Sequence, residues 1–246
     1  MAEASLDDWE RAAIRFGRAT RDRPARVLLG DLTADLAELK RALRTHRSAS
    51  ALRRLTGVTA QMSGLMCLTL CKLDDRPAVR RWARTARLAA HEAGDQVTYS
   101  WVLAQEAYGH YYGADLREAV DVARRAQHVV RKTPCVGAAL AAALEARAHA
   151  AMGSAHDTRE ALARAEVILS SLGPDSLVPS AFGYTQAQLS FHAGSAHPLL
   201  HDTNAAFEAQ ELALKPISGT APSSRTVRED HHEPRPVPGM LSCQGI

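Results

Sequence analysis

The sequence has few aromatic residues and few lysines. Aromatic side chains make up 5% of the 246 residues, whereas 46 residues are alanine. β-Sandwiches and barrels depend on aromatic and β-branched residues, so this composition disfavours them and favours closely packed helices. The four lysines are Lys40, Lys72, Lys132 and Lys215, so arginine supplies 26 of the 30 basic residues. The net charge of +3 is too small to demand a nucleic-acid or membrane partner.

Cysteine is also scarce, and the four cysteines form no CxxC pair. This pattern predicts a reduced, cytoplasmic chain. The N-terminus has no apolar signal-peptide core, and the charge-free run at residues 55–71 is too short and too polar for a membrane span. Cys67 and Cys71 are spaced to reach one ion, but no nearby histidine completes a tetrahedral site. We therefore expect neither a metal nor a cofactor.

Catalytic signatures are absent from the sequence. It contains no GxSxG elbow, no GxxxxGK[ST] phosphate loop and no GxGxxG motif. Glu106 and Glu145 recur at nearly the repeat spacing described below, which fits structural hydrogen bonding better than acid–base catalysis. We predict a non-enzymatic binding protein.

Turn signals recur along most of the chain. Positions 73, 113, 153 and 194 begin turn-like segments such as Gly113-Ala114-Asp115, and further breaks fall between them. Apolar residues between the breaks follow the helical period. The pattern predicts four helix hairpins, with helices over about 50–72, 76–93, 97–112, 115–132, 136–152, 156–172, 178–193 and 199–214.

Each predicted hairpin has more apolar surface than it can bury alone, so neighbouring hairpins must stack. The predicted fold is therefore all-α, a right-handed superhelical solenoid of antiparallel helix hairpins with a period of about 40 residues. Residues 1–46 would form a helix pair packing on the solenoid, residues 47–214 the four hairpins, and residues 215–246 a disordered tail. The tail holds five of the eleven prolines and no helical period, which predicts disorder. Its abrupt change in composition leads to the further hypothesis that it is translated from a shifted reading frame.

A leucine pattern in the N-terminal region has two interpretations. The leucines are spaced alternately three and four residues apart, as in a short coiled-coil seam. Packing within the chain is the first interpretation, and a homodimer seam is the second. The residues concerned are Leu29, Leu32, Leu36, Leu39 and Leu43.

Several segments resemble known helical-repeat proteins. The series Glu106-Ala107, Tyr111-Tyr112-Gly113 and Asp115-Leu116-Arg117-Glu118-Ala119 resembles a lengthened tetratricopeptide repeat. More narrowly, four stretches resemble the repeat region of actinobacterial helix-turn-helix transcriptional regulators. These are DDWERAAIRFGR, RPAVRRWARTARLAAHEAGD, SWVLAQEAYGHYYGADLREAVDVARRAQ and ALAAALEARAHA. The resemblance implies a ligand- or peptide-sensing region. In that family the DNA-binding domain precedes the segment that begins here near Asp7, so we expect no such domain in this sequence.

One helix face concentrates the scarce aromatic residues. Trp101, Gln105, Tyr108 and Tyr112 share a face of the helix predicted over 97–112. In tetratricopeptide arrays the opening helices line a concave groove, so the resemblance implies that this face binds a peptide or protein. Phe182 and Gln186 would extend the groove. The alternative is that the rings fill the interfaces between hairpins.

Arginine-rich faces carry a second functional hypothesis. Arg80, Arg81, Arg84 and Arg87 fall on one predicted helix, and residues 124, 125, 131 and 132 form a second basic group. Such faces suit phosphate contacts, so the alternative function is a nucleic-acid-binding regulator. The other interpretation is a solvated outer face, which the small net charge of +3 favours. A truncated, non-functional fragment is the remaining alternative.

Overall fold

The computed structural model describes residues 5–131 and 133–214, and every regular element in these ranges is helical. This confirms the all-α prediction for the described part of the chain. The predicted disordered or frame-shifted tail lies outside it. The helices are α1 (Leu6–Asp22), α2 (Ala25–Thr45), α3 (Ala49–Lys72), α4 (Arg76–Ala93), α5 (Gln96–Tyr112), α6 (Leu116–Val129), α7 (Val136–Ala151), α8 (Ala155–Ser170), α9 (Gln186–Ala196) and α10 (Thr203–Leu214).

Local chemistry fixes several helix ends. Ser5 and Asp8 form a reciprocal capping box at the start of α1. The Asp75 side chain accepts a hydrogen bond from the Ala78 N–H at the start of α4, and α4 ends at Gly94, whose φ is 71°. A left-handed residue is the usual helix C-terminal signal and is cheapest for glycine. Helix α4 consequently spans the predicted range.

The turns that join helices recur with nearly the same geometry. Asp74, Ala114 and Gly153 each have a positive φ, of 54°, 62° and 79°. At each turn the residue that follows donates its N–H to a carbonyl five residues earlier, as Ser154 does to His149 at 2.9 Å. This bond satisfies a carbonyl that the helix leaves unpaired, and it folds the next helix back on the last.

Consecutive helices pack in pairs. Helix α3 packs on α4, α5 on α6, α7 on α8 and α9 on α10. The odd-numbered helices α3, α5, α7 and α9 also pack successively on one another, while α4 and α6 each contact the odd-numbered helix that follows. Small residues allow the close approach, since Cys67, Ala107 and Ala146 are all fully buried.

The N-terminal helices α1 and α2 both pack on α3. Leu32 and Leu39 are fully buried within the chain, and the other leucines of the seam pack partly buried against the same core. The structure thus uses this leucine pattern for packing within the chain. Dimerisation through Leu29, Leu36 and Leu43 stays a prediction.

The last hairpin differs from its predicted boundaries. A helix was expected over 178–193 and a turn at 194, but α9 begins at Gln186 and continues to Ala196. A short 3₁₀ turn follows, and His201, with φ of 59°, makes the reversal instead. The reason is that residues 177–185 form a loop, and a capping box between Thr185 and Gln188 then starts α9. None of the described helices is long and apolar enough to cross a membrane.

Candidate functional site

The loop at residues 177–185 covers the aromatic face predicted to bind a partner. Trp101 is 4% exposed, and its Nε1–H donates a hydrogen bond to the Ala181 carbonyl at 2.7 Å. The Trp101 and Phe182 rings pack with their centroids 4.7 Å apart. The structure therefore brings these two predicted residues together, but as packing partners and not as lining of an open groove.

The same loop also fastens onto the N-terminal helix. The Ala181 N–H donates to the Gly17 carbonyl in α1 at 2.9 Å. A Cβ at Gly17 would lie 2.5 Å from the Phe182 ring, so glycine is needed for this close approach. The loop thereby joins α1 to α5. Because of these tertiary contacts, residues 178–185 form a loop and not the first part of the helix predicted over 178–193.

The remaining predicted groove residues separate. Gln105 is buried, whereas Gln186 is exposed in the first turn of α9. Tyr108 and Tyr112 are half-buried, with ring centroids 4.5 Å apart. The six residues therefore do not form one continuous open face, and a binding role for Tyr108 and Tyr112 stays a prediction.

A buried arginine that was not among the predicted site residues contacts the rings of Tyr111 and Tyr112. Arg147 of α7 is 6% exposed, and its guanidinium carbon lies 4.4 Å from the Tyr111 ring centroid. Its Nη2 donates to the Tyr112 hydroxyl at 3.2 Å, but Nε and Nη1 have no hydrogen-bond partner in the described structure. Burial, together with the nearby Arg147 charge, lowers the pKa of His192 well below its usual value. The guanidinium is therefore a buried cation held mainly by aromatic faces.

A pocket of about 360 Å³ lies beside α5, between α4 and α6, and its lining includes Tyr112, one of the residues predicted to bind. We call it the α4–α6 pocket. Its apolar base includes Val79 and Ala83 of α4 and Gly109 of α5. A Cβ at Gly109 would lie 2.7 Å from Val79 Cγ1, so this glycine lets α5 approach α4. The charged residues of the pocket are then set on three helices around this base.

Helix α4 forms a basic wall. Arg80 and Arg84 line the pocket, are exposed, and have no ion-pair partner among the described residues. Arg76 is bound to Asp74 at 3.2 Å and to the Gly113 carbonyl at 3.3 Å. Arg81, grouped with these arginines from the sequence, is exposed and does not line the pocket. The wall therefore offers two arginines to an external anion.

The floor and the opposite wall are acidic. Glu106 of α5 is 9% exposed, and Arg87 Nε lies 3.1 Å from its Oε2. Neither atom makes a hydrogen bond, because the N–H is not directed at the oxygen. Burial raises the pKa of Glu106, and Arg87 opposes this only in part. Glu118 of α6 stands across the pocket without a described partner.

Glu145 of α7 is a second buried glutamate, and unlike Glu106 it has a hydrogen-bond donor on each carboxylate oxygen, so we call it saturated. It is 1% exposed and accepts hydrogen bonds from Arg124 Nε at 2.9 Å and Gln127 Nε2 at 2.8 Å. Arg164 Nη2 lies 2.9 Å from its other oxygen. Although burial alone would raise it, these donors hold the pKa of Glu145 below its usual value. As predicted, Glu145 is a structural hydrogen-bonding centre, joining α6, α7 and α8.

The cysteine positions carry no metal-site geometry. Cys67 is buried and burial raises the pKa of its thiol well above the usual value, so it is a packing residue. Within residues 5–131 and 133–214, no three histidine, cysteine or acidic side chains come together to hold an ion.

Comparison with known proteins shows similarity of fold alone. No protein-family description matches the sequence, and no curated protein matches it. Among solved structures, the crystal structure of BtubC (BKLC) from P. vanneervenii is similar, with a TM-score of 0.52 and 14% sequence identity. The alignment covers 93% of this chain and 95% of that one.

Proposed function

We propose that this protein is a non-enzymatic binding scaffold, built as a tetratricopeptide-like solenoid with a repeat of about 40 residues. The turns at Asp74, Ala114 and Gly153 support the repeat, because they share a positive φ and the same closing hydrogen bond. The successive packing of odd-numbered helices supports the stacking of hairpins. In such an array each hairpin offers a surface on which a partner can bind, and binding needs no catalytic residues.

The resemblance to regulator repeat regions supports a sensing role in the cytoplasm. A regulatory scaffold works by differential binding, because a partner shifts only an equilibrium between states that it binds unequally. The partner that suits an open helical surface is an extended peptide or protein segment. We therefore propose peptide or protein recognition as the activity.

The α4–α6 pocket is the proposed recognition site. The observation that carries this proposal is that charges of both signs line one pocket, with Arg80 and Arg84 on α4, Glu106 on α5 and Glu118 on α6. A partner segment bearing charges of both signs satisfies both walls, and it gives orientation as well as affinity. The loop-covered face around Trp101 is closed by the chain itself and offers no equivalent opening.

The proposal is tested by selecting a phage-displayed random peptide library against the full chain. We expect a set of peptides with a shared charge pattern, measured afterwards by fluorescence anisotropy. The double variant Arg80→Glu/Arg84→Glu should weaken their binding about tenfold or more. Arg53→Glu is the matched control, because Arg53 is equally exposed and lies on α3, away from the pocket. Absence of a shared pattern, or equal binding to all three proteins, would overturn the proposal.

Nucleic-acid binding is the competing function, because Arg80 and Arg84 could contact phosphates. Five acidic residues line the same pocket, and they would repel a phosphate backbone that followed α4. A salt titration with duplex DNA separates the two functions, since phosphate contacts give a steep loss of affinity with salt. Specific duplex binding with such a slope would favour the nucleic-acid function instead.

A further inference from the structure

We infer that the floor of the α4–α6 pocket is a subsite for a guanidinium group, so that the bound segment places an arginine side chain on Glu106. This inference rests on the proposed binding function and names the chemistry of its partner. It starts from a buried carboxylate whose Oε2 has no hydrogen-bond donor although it lines an open pocket.

The first argument compares Glu106 with Glu145, which lies 39 residues later on the next odd-numbered helix. Glu145 is saturated by Arg124, Gln127 and Arg164. Counted from Glu106, the three corresponding positions are occupied by Thr85, Leu88 and Arg125.

Of the three positions only the last keeps a charged donor, and the Arg125 charge acts on Glu106 without direct contact in the described structure. Leu88 carries no polar group, Thr85 bonds its hydroxyl to the Arg81 carbonyl at 3.2 Å, and Arg125 makes no described ion pair or hydrogen bond. Arg87 supplies charge nearby but no directed hydrogen bond. Glu145 is thus saturated from within the chain, whereas the Glu106 side chain lines the pocket and its buried Oε2 has only the Arg87 charge beside it.

The second argument concerns the type of donor. Both charged donors on Glu145 are guanidinium groups, each approaching within 2.9 Å. A guanidinium is planar, carries five N–H donors and is more weakly hydrated than an ammonium, so it loses less on entering a partly buried site. The Glu106 carboxylate, whose Oε2 accepts no hydrogen bond, therefore favours arginine over lysine.

The third argument assigns the other end of the ligand. Arg80 and Arg84 line the same pocket without partners. A carboxylate on the same segment, from an acidic neighbour or the chain terminus, would lie against them while the guanidinium reaches Glu106. L-arginine carries both groups in one small molecule and is the simplest probe of this arrangement.

The test titrates the full chain by NMR with L-arginine, citrulline and agmatine. Citrulline replaces the guanidinium by a neutral urea of similar shape, and agmatine lacks the carboxylate. We expect citrulline to bind about tenfold or more weakly than arginine, and agmatine to lie between them. Glu106→Gln should bind arginine as weakly as the wild type binds citrulline. Arg80→Gln/Arg84→Gln should bind arginine as weakly as the wild type binds agmatine.

Controls keep a folding defect apart from a lost subsite. Glu166→Gln is the matched control, because Glu166 is an exposed, unpaired glutamate on α8 away from the pocket. Glu106→Asp retains the charge, so it should retain the preference for arginine over citrulline at lower affinity. Each variant is first shown to melt like the wild type by circular dichroism.

The inference is overturned if arginine and citrulline bind equally, if Glu106→Gln binds arginine unchanged, or if arginine produces no shifts at the pocket. Its failure is distinguishable from that of the proposed function. Selected peptides that lose binding in Arg80→Glu/Arg84→Glu, yet lack arginine and tolerate Glu106→Gln, would leave the function standing and reject only the guanidinium subsite.

Discussion

Glu106 and Glu145 provide a matched pair of buried glutamates for a stability measurement. Glutamine in place of either one removes a negative charge while keeping size and shape. At Glu145 the change leaves two guanidinium groups and the Gln127 amide around a neutral side chain whose own N–H₂ group faces donors. At Glu106 the change removes a charge that burial already disfavours. We therefore expect the change at Glu145 to lower the free energy of unfolding and the change at Glu106 to leave it nearly unaltered.

The magnitude at Glu145 follows from its partners. Removing one member of a fully buried ion pair costs about 3–5 kcal/mol. Here the side chains of Arg124 and Arg164 are 56% and 43% exposed, so both can turn into solvent after the change. The expected cost is therefore about 2–3 kcal/mol, which lowers the melting temperature by roughly 5–10 °C in a domain of this size. Glu106→Gln should stay within about 1 kcal/mol of the wild type.

Chemical denaturation across pH checks both the size and the sign. The folded-state pKa of Glu145 lies below its ordinary 4.5, so its stabilisation is present above that pH and is lost as pH falls through the folded pKa. The gap between wild type and Glu145→Gln should then close in acid. The pKa of Glu106 is raised, so its contribution is fully favourable below 4.5 and is lost as pH rises through the folded value. A cost below about 1 kcal/mol at Glu145, or an equal cost at Glu106, would refute the reasoning.

Three further changes test other contacts. Trp101→Phe removes the hydrogen bond to the Ala181 carbonyl and should cost about 2 kcal/mol, with faster hydrogen exchange confined first to the loop at 177–185. Ala114→Gly should raise the unfolding free energy by about 1 kcal/mol in a urea titration, because alanine is strained at φ of 62°. Arg147→Met should be neutral or stabilising, since it replaces a buried cation that no carboxylate balances in the described structure; a loss above about 3 kcal/mol would show that the aromatic contacts outweigh desolvation.

Local signals explain which parts of the fold could be predicted from the sequence. Helix α4 matches its predicted range because Asp75 caps one end and Gly94 terminates the other, both within the helix's own neighbourhood. The turn after α5 was predicted from Gly113-Ala114-Asp115, and its closing hydrogen bond joins residues only five apart. Where the determinants are this short-range, the sequence pattern is sufficient.

The region before α9 shows the opposite case. Residues 177–185 were expected to begin a helix, but they form a loop because Ala181 bonds to Gly17 and Phe182 packs on Trp101. These contacts join segments far apart in the chain, and no local pattern encodes them. The loop also covers the aromatic face that was predicted to bind. The pocket could not be predicted from the sequence either, because its lining residues come from separate helices. In the sequence its arginines form only a basic helix face.

The contrast between Glu106 and Glu145 explains how one pocket can stay open in a tightly packed chain. Each helix contacts mainly helices that are near it in the chain, so the contacts at one interface need not depend on those at the next. Saturating Glu145 ties α6, α7 and α8 together and stabilises that interface. The interface around α5 is supported instead by buried apolar residues such as Leu103 and Ala107. Glu106 can therefore remain unsaturated without unfolding its neighbours, and the donors that it lacks can come from a partner.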